Sequence, residues 1–203
     1  MQLIEKALNE NKASILLVPE ISLTPQTVNR FIARFGKEQI AVLHSKLSIG
    51  ERFDQWHKIH EGKAKIVIGA RSAIFAPVKN LGIVIIDEEH DSSYKSEMAP
   101  RYDAKNVARY ICKTVNVPLV LGSATPDLET FYRAKKEEIM LLELTKRANE
   151  AELPSIDIID LREELAKGNR SMISTRLYEE IEKNLKNRKQ TILYLNRRGF
   201  STF

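Results

Sequence analysis

Apolar residues in the first 145 positions follow two alternating patterns. Short runs rich in Val, Ile and Leu fall at 14–18, 40–43, 65–68, 83–87, 118–121 and 139–142, and between them apolar residues recur every three to four positions. The short runs predict strands, several of them buried on both faces because they carry no polar alternation. The longer stretches predict amphipathic helices. Two stripes stand out: Val28, Phe31, Ile32 and Phe35, then Ile49, Phe53, Trp56 and Ile59 or His60. On that reading Trp56 belongs to the core. Helix starts are marked as well, by Thr24 before Pro25, Ser48 three residues before Glu51, and Thr125 before Pro126. Each offers a side-chain oxygen to the open amides of a first turn.

Strands alternating with helices imply an α/β fold, a parallel sheet covered by helices. The pattern lapses at Thr145–Ser155, where a polar stretch ends in a proline, so residues 146–155 read as a linker between a first lobe, 1–145, and a second unit, 156–203. That unit predicts a strand at Ile156–Asp160, a polar loop through Gly168 and Asn169, a helix from about Ser174 to Lys186, and a strand at Thr191–Leu195. With about 50 residues it buries little core and reads as a truncated lobe.

Composition excludes several classes. Hydrophobic residues at 43% and charged ones at 29%, with 8 Gly and 7 Pro, rule out collagen-like and disordered chains. The longest apolar stretch, Leu81–Ile86, falls far short of the roughly 20 residues that span a bilayer, so no membrane partner is expected. A net charge of +5 suits a polyanion and solubility alike. The single cysteine, Cys112, leaves no internal disulfide, and a reducing, cytoplasmic setting is expected. His57 and His60 share a helix face without a third ligand, so no zinc site is expected in this chain.

Candidate chemistry gathers at two strand ends. Ile83 to Ile86 runs into Asp87-Glu88-Glu89-His90, which places acids at the carboxyl end of a buried strand, where ligands sit in open parallel sheets. Binding a hard cation and activating water need adjacent carboxylates aimed in different directions. A plain acidic turn would read the same way. After Leu119–Leu121 come Gly122-Ser123-Ala124-Thr125-Pro126, small enough for close approach and carrying hydroxyls for the acids. Alone this is also an ordinary strand-to-helix turn, and the combination is more specific than either part.

Together with Val18–Gln26, Gly69–Phe75, Asp87–Lys95 and Leu195–Phe200, these strings resemble the bacterial replication-restart, or primosomal, DNA helicases of superfamily 2, over essentially all 203 residues. The resemblance implies a RecA-like first lobe, lacking its first strand and phosphate-gripping loop, and the start of a second RecA-like lobe. It implies that Asp87 holds Mg²⁺ largely through water and that Glu88 activates the attacking water. Glu89 and His90 would complete the motif, with His90 joining the nucleotide site to a coupling turn of Gly122, Ser123, Ala124 and Thr125. Thr24, Pro25, Gln26, Arg71 and Ser72 match segments that meet the DNA backbone. Tyr94, Lys95, Arg101 and Tyr102 match an aromatic-rich loop that couples single-stranded DNA to ATP turnover, with Pro100 where the family commonly has tryptophan. Asn196, Arg197 and Arg198 would face the interlobe cleft or the DNA track. Plainer readings stay open for some of these: a helix cap at Thr24, a solvated side chain at Arg71, Tyr94 packed against the sheet edge.

The implied activity is an ATP-dependent, 3′-to-5′ DNA helicase that remodels abandoned replication forks. The implied cofactors are ATP, Mg²⁺ and a Zn²⁺ held by cysteines beyond Phe203. The implied partners are branched and single-stranded DNA, primosome proteins and single-stranded DNA-binding protein, in a nucleoid-associated location. No Gly-x-x-x-x-Gly-Lys-Ser/Thr string occurs in the 203 residues. The chain is therefore expected to be a central fragment that hydrolyses little ATP alone. Two rivals remain: a non-catalytic DNA-binding module in which Asp87 and Glu88 only shape the fold, and another superfamily 2 DNA translocase.

Overall fold

Five strands build one parallel sheet: β1 (Ala13–Leu17), β2 (Ile40–Leu43), β3 (Ile66–Gly69), β4 (Leu81–Ile86) and β5 (Leu119–Leu121), in the order β2-β3-β1-β4-β5. The computed structural model describes residues 1–146 and 154–194 and divides into two units, Met1–Leu142 and Glu143–Phe203. The sheet lies in the first unit with helices α1 (Gln2–Asn9), α2 (Pro25–Phe35), α3 (Ile49–His60), α4 (Ala104–Val115) and α5 (Leu128–Lys135). The expected α/β architecture is present.

Successive side chains of a strand point to opposite faces, so one strand feeds two cores. Ile15 and Leu17 join Val67, Val84 and Ile86 with Ile59 of α3 and Ala108 of α4. Leu16 and Val18 join Ile66 and Ile68 with Ile4 of α1 and Phe31 of α2. Every residue of β1 is buried, which explains its unalternated apolar run. Ser14 is the exception in kind, a buried hydroxyl with no hydrogen-bond partner among the described residues.

The chain leaves β1 outward to β2, returns to β3, and then crosses to β4 on the other side of β1. The strand order reverses there, and the carboxyl ends of β1 and β4, with Leu17 opposite Ile86, flank the crevice where ligands enter such sheets.

Two of the three helix starts match the reading. Thr24 Oγ1 accepts the Thr27 N–H at 3.2 Å, and Ser48 and Glu51 form a reciprocal capping box. The third is corrected: α5 begins after Asp127, and Thr125 and Pro126 stay in the turn before it.

Trp56 is also corrected, being 42% exposed, with Ile49 and Phe53 more open still. The reason is the neighbour of α3. It packs on β2, the strand at the sheet edge, whose open backbone groups need partners. Gln55 Oε1 accepts the Val42 N–H at 3.1 Å, and Lys58 Nζ donates to the carbonyls of Lys37 and Ile40. Residues 55, 58 and 59 therefore face inward, and the apolar stripe is turned away.

Three predicted strands are corrected too. Residues 139–142, 156–160 and 191–194 form no strand, and Leu142, Ile158 and Ile192 are exposed. A strand is completed by the ladder of a neighbour, and none pairs with these runs among the described residues. Leu195 and most of the predicted linker lie outside the described residues. The second unit contains α6 (Leu161–Ala166), which was not predicted, and α7 (Thr175–Lys186), the helix expected from about Ser174, with Ser174 as its cap. No helix among the described residues is long and apolar enough to cross a membrane.

Candidate active site

Beyond Ile86 the Asp87 N–H donates to the Leu17 carbonyl at 2.9 Å, extending the β1–β4 ladder by one bond. Glu88 then turns the chain with left-handed backbone, φ 46°. That conformation costs a residue with a Cβ about 1–2 kcal/mol. Two bonds hold it, Glu88 N–H to Asp87 Oδ1 at 3.1 Å and Asp91 N–H to the Glu88 carbonyl at 2.8 Å. The turn separates the three acids: Asp87 is exposed, Glu88 half-exposed, and Glu89 buried with 1% of its surface accessible.

Glu89, expected to complete the motif, is an internal joint. Its N–H donates to the Gly122 carbonyl at 2.9 Å, and its Oε1 accepts the Asp127 N–H at 2.7 Å. Its Oε2 accepts from Lys105 Nζ and Thr130 Oγ1, both at 3.1 Å. Lys105 also donates to Asp127 Oδ2 at 3.0 Å. Burial works to lower the Lys105 pKa, but the hydrogen bonds to Asp127 and Glu89 outweigh it and hold the ammonium above its ordinary value. The same bond from Lys105 holds the Asp127 carboxyl below its ordinary value.

His90 lies on the other side of this joint. Its Nδ1 is hydrogen-bonded to Ser123 Oγ at 2.6 Å, and Ser123 Oγ accepts the Thr125 N–H at 3.0 Å. His90 Nδ1 also lies 3.7 Å from Glu88 Oε2. The two strand ends singled out in the sequence are therefore joined directly. A Cβ at Gly122 would stand 3.4 Å from Asp87 Oδ1, an ordinary contact. Among the described residues no group of three or more His, Cys, Asp or Glu could hold a metal ion. Mg²⁺ needs no such cage, because it binds through one or two carboxylates, waters and substrate phosphates. The exposed Asp87 beside Glu88 fits that demand.

Tyr94 is buried, and its hydroxyl donates to the Asp87 carbonyl at 2.6 Å. Burial first, and then the carboxylates of Asp87, Asp91 and Glu88, push its pKa up. Of the readings left open for Tyr94, the packed one describes it, for its ring is core. The loop beyond it closes through an antiparallel bridge between Lys95 and Asp103 and a Ser96 N–H to Tyr102 carbonyl bond at 2.7 Å. Tyr102 is half-buried, with Phe75 edge-on at 5.1 Å and the Arg71 guanidinium 5.6 Å from its ring centre. Arg71 also donates to the carbonyls of Ser93 and Lys95, fastening the loop to the end of β3.

Lys95 and Arg101 are exposed. A cleft of about 480 Å³ runs between Glu20, Ser45, Arg71, Ser72, Lys95 and Met98. Thr24, Pro25 and Gln26 are exposed at the start of α2 and do not line it, nor do Asp87 and Glu88. Asn196, Arg197 and Arg198 lie outside the described residues.

Lys105, Asp127 and Thr130 were not anticipated. A signal existed for the first: Lys105, Ala108 and Cys112 share one side of α4, and a lysine within an otherwise apolar stripe implies a buried partner.

A protein called "Replication restart protein PriA" from Bacillus subtilis (strain 168) is 54% identical over all 203 residues, which make up 25% of its length. The Treponema pallidum (strain Nichols) protein of that name is 47% identical over 197 residues, 97% of this chain and 29% of the relative. The Synechocystis one is 44% identical over 208 aligned positions, 100% of this chain and 25% of the relative. The chain thus spans about a quarter of these relatives' length. Among solved structures, the C-terminal domain of the DEAD-box protein Dbp5 matches 68% of this chain and 81% of its own, at 16% identity and a TM-score of 0.36, too slight a likeness to carry weight. Residues 1–134, the stretch that holds the joined strand ends, match the DEAD/DEAH box helicase family, and to that family the chain belongs.

Proposed function

We propose that this chain is part of a replication-restart DNA helicase that couples ATP hydrolysis to 3′-to-5′ movement on DNA. The observation that carries the reading is the divergence of Asp87 and Glu88 at the end of β4, with His90 bonded to the Ser123 turn. The identity to the restart proteins supports it. Asp87 would hold Mg²⁺, which supplies charge neutralisation on the phosphate oxygens when bound. Glu88, half-exposed at the left-handed turn, would orient the attacking water and take its proton. His90 fixes the distance between this pair and the turn after β5, so a change at one strand end reaches the other. The exposed Lys95 and Arg101 and the cleft by Arg71 would track a nucleic-acid backbone.

The test is ATP hydrolysis by the full-length protein with and without single-stranded DNA, beside its Glu88→Gln variant. Removing the proton acceptor is expected to lower the rate by about 10²–10⁴-fold with DNA binding retained. Equal rates in both proteins would sink the reading and favour a module in which the acids only shape the turn. The 203-residue chain alone, which has no phosphate-gripping string, is expected to show little hydrolysis.

A further inference from the structure

Lys105 is the only buried lysine or arginine among the described residues. An ammonium taken out of water costs several kcal/mol unless it is paired and hydrogen-bonded. Here it is paired twice, and the partners come from different segments. Glu89 follows the Asp87–Glu88 pair, and Asp127 immediately precedes α5 beyond the Ser123 turn.

The lysine itself belongs to a third segment. Its backbone N–H donates to Asp103 Oδ1 at 2.8 Å, in the first turn of α4, and Asp103 pairs with Lys95 to close the exposed loop. A continuous set of bonds therefore runs from that loop through Asp103 and Lys105 to Glu89, the residue bonded in sequence to Glu88. An apolar side chain at position 105 could fill the same space. It could not pull on Glu89 and Asp127 together when the start of α4 shifts.

We propose that Lys105 is a positioning residue through which the state of the 95–103 loop reaches the Asp87–Glu88 pair, its ammonium holding Glu89 and Asp127 in one arrangement. This rests on the ATP-dependent reading above, with nucleic acid on the exposed Lys95 and Arg101 as the input. Two carboxylates, a hydroxyl and one ammonium can be satisfied together in few geometries. A small movement of α4 therefore produces a discrete change rather than a graded one.

The readout is the ratio of DNA-stimulated to DNA-free ATP hydrolysis in the full-length protein, each rate measured at saturating ATP, with a single-stranded oligonucleotide as probe. In Lys105→Met, which keeps the length and removes the charge, the ratio is expected to fall about tenfold. Lys105→Arg should restore most of it, since a guanidinium can reach both carboxylates. A scaffold role would lower the two rates together and leave the ratio unchanged, and that result would overturn the proposal.

Should Lys105→Met fail to fold, Asp127→Asn decides. It leaves the buried Lys105–Glu89 pair intact and loosens only one side, so a reduced ratio supports the proposal and an unchanged ratio overturns it. Absence of DNA stimulation in the wild-type protein would overturn the functional reading, and this proposal with it, before any variant is compared.

Discussion

Glu88 shows how one backbone angle divides labour among neighbouring acids. Had the chain continued as extended strand past Ile86, side chains would alternate, sending Asp87 and Glu89 to the same face. The left-handed turn at Glu88 instead leaves Asp87 exposed and places Glu89 against Lys105. At Gly69 the identity of the residue is dictated by contact. A Cβ there would run into the Leu43 carbonyl of β2 and stand 2.6 Å from the Ala73 Cβ. Backbone on one side and the Arg71–Phe75 turn on the other leave little room to yield. Gly69→Ala is therefore expected to lower stability by about 1–3 kcal/mol, read as a reduced urea midpoint. A midpoint equal to wild type would show that β2 can move aside. Residue types at these positions were legible in advance, whereas the angle at Glu88 and the lysine behind Glu89 were not.

Elements formed where their signals were local, the start at Thr125 excepted, and failed where they needed a partner. The caps at Thr24 and Ser48 act within three residues of sequence and start helices as read, and Ser174 does the same for the helix expected from about that position. The runs at 139–142, 156–160 and 191–194 had the composition of strands but no ladder to join. The α3 stripe failed for a related reason. An edge strand's open backbone groups were better met by Gln55 and Lys58 than by an apolar face.

In the second unit one side chain ties α6 to the start of α7. Glu164 Oε2 accepts the Thr175 N–H and hydroxyl, each at 2.7 Å, and the Asn169 amide at 2.8 Å. Led by the Thr175 backbone amide, these bonds pull its pKa from 4.5 to about 2. A carboxyl depressed by folding contributes stability that is present above its unfolded value and declines as pH falls from 4.5 towards 2. Carboxyl chemical shifts should place the Glu164 midpoint near 2, and a midpoint of 4.5 would mean the bonds to Thr175 do not hold in solution.

At the scale of the whole molecule, the sheet order gathers the carboxyl ends of β1, β3 and β4, and with them both the acid pair and the Arg71-fastened loop. The net charge of +5 does not by itself locate a binding face. The exposed Lys95 and Arg101 on that loop do propose one. If both neutralise phosphates of single-stranded DNA, replacing them together with alanine should make the slope of log affinity against log salt shallower by about 1.4, at roughly 0.7 per phosphate. An unchanged slope would remove the loop from the interface.

The α/β class, five of the six first-lobe strand positions to within two residues at each end, the helix caps at Thr24 and Ser48 and the two strand ends that carry chemistry were set by the sequence itself. Hydrophobic periodicity, capping and the residue types that bind charge are all local properties. Which face of α3 turns inward, that Tyr94 is core, and that Lys105 closes a buried joint behind the acids were decided only by tertiary structure. Each depends on a partner distant along the chain, such as the open edge of β2, the Asp87 carbonyl, or a carboxylate that burial leaves no water to satisfy.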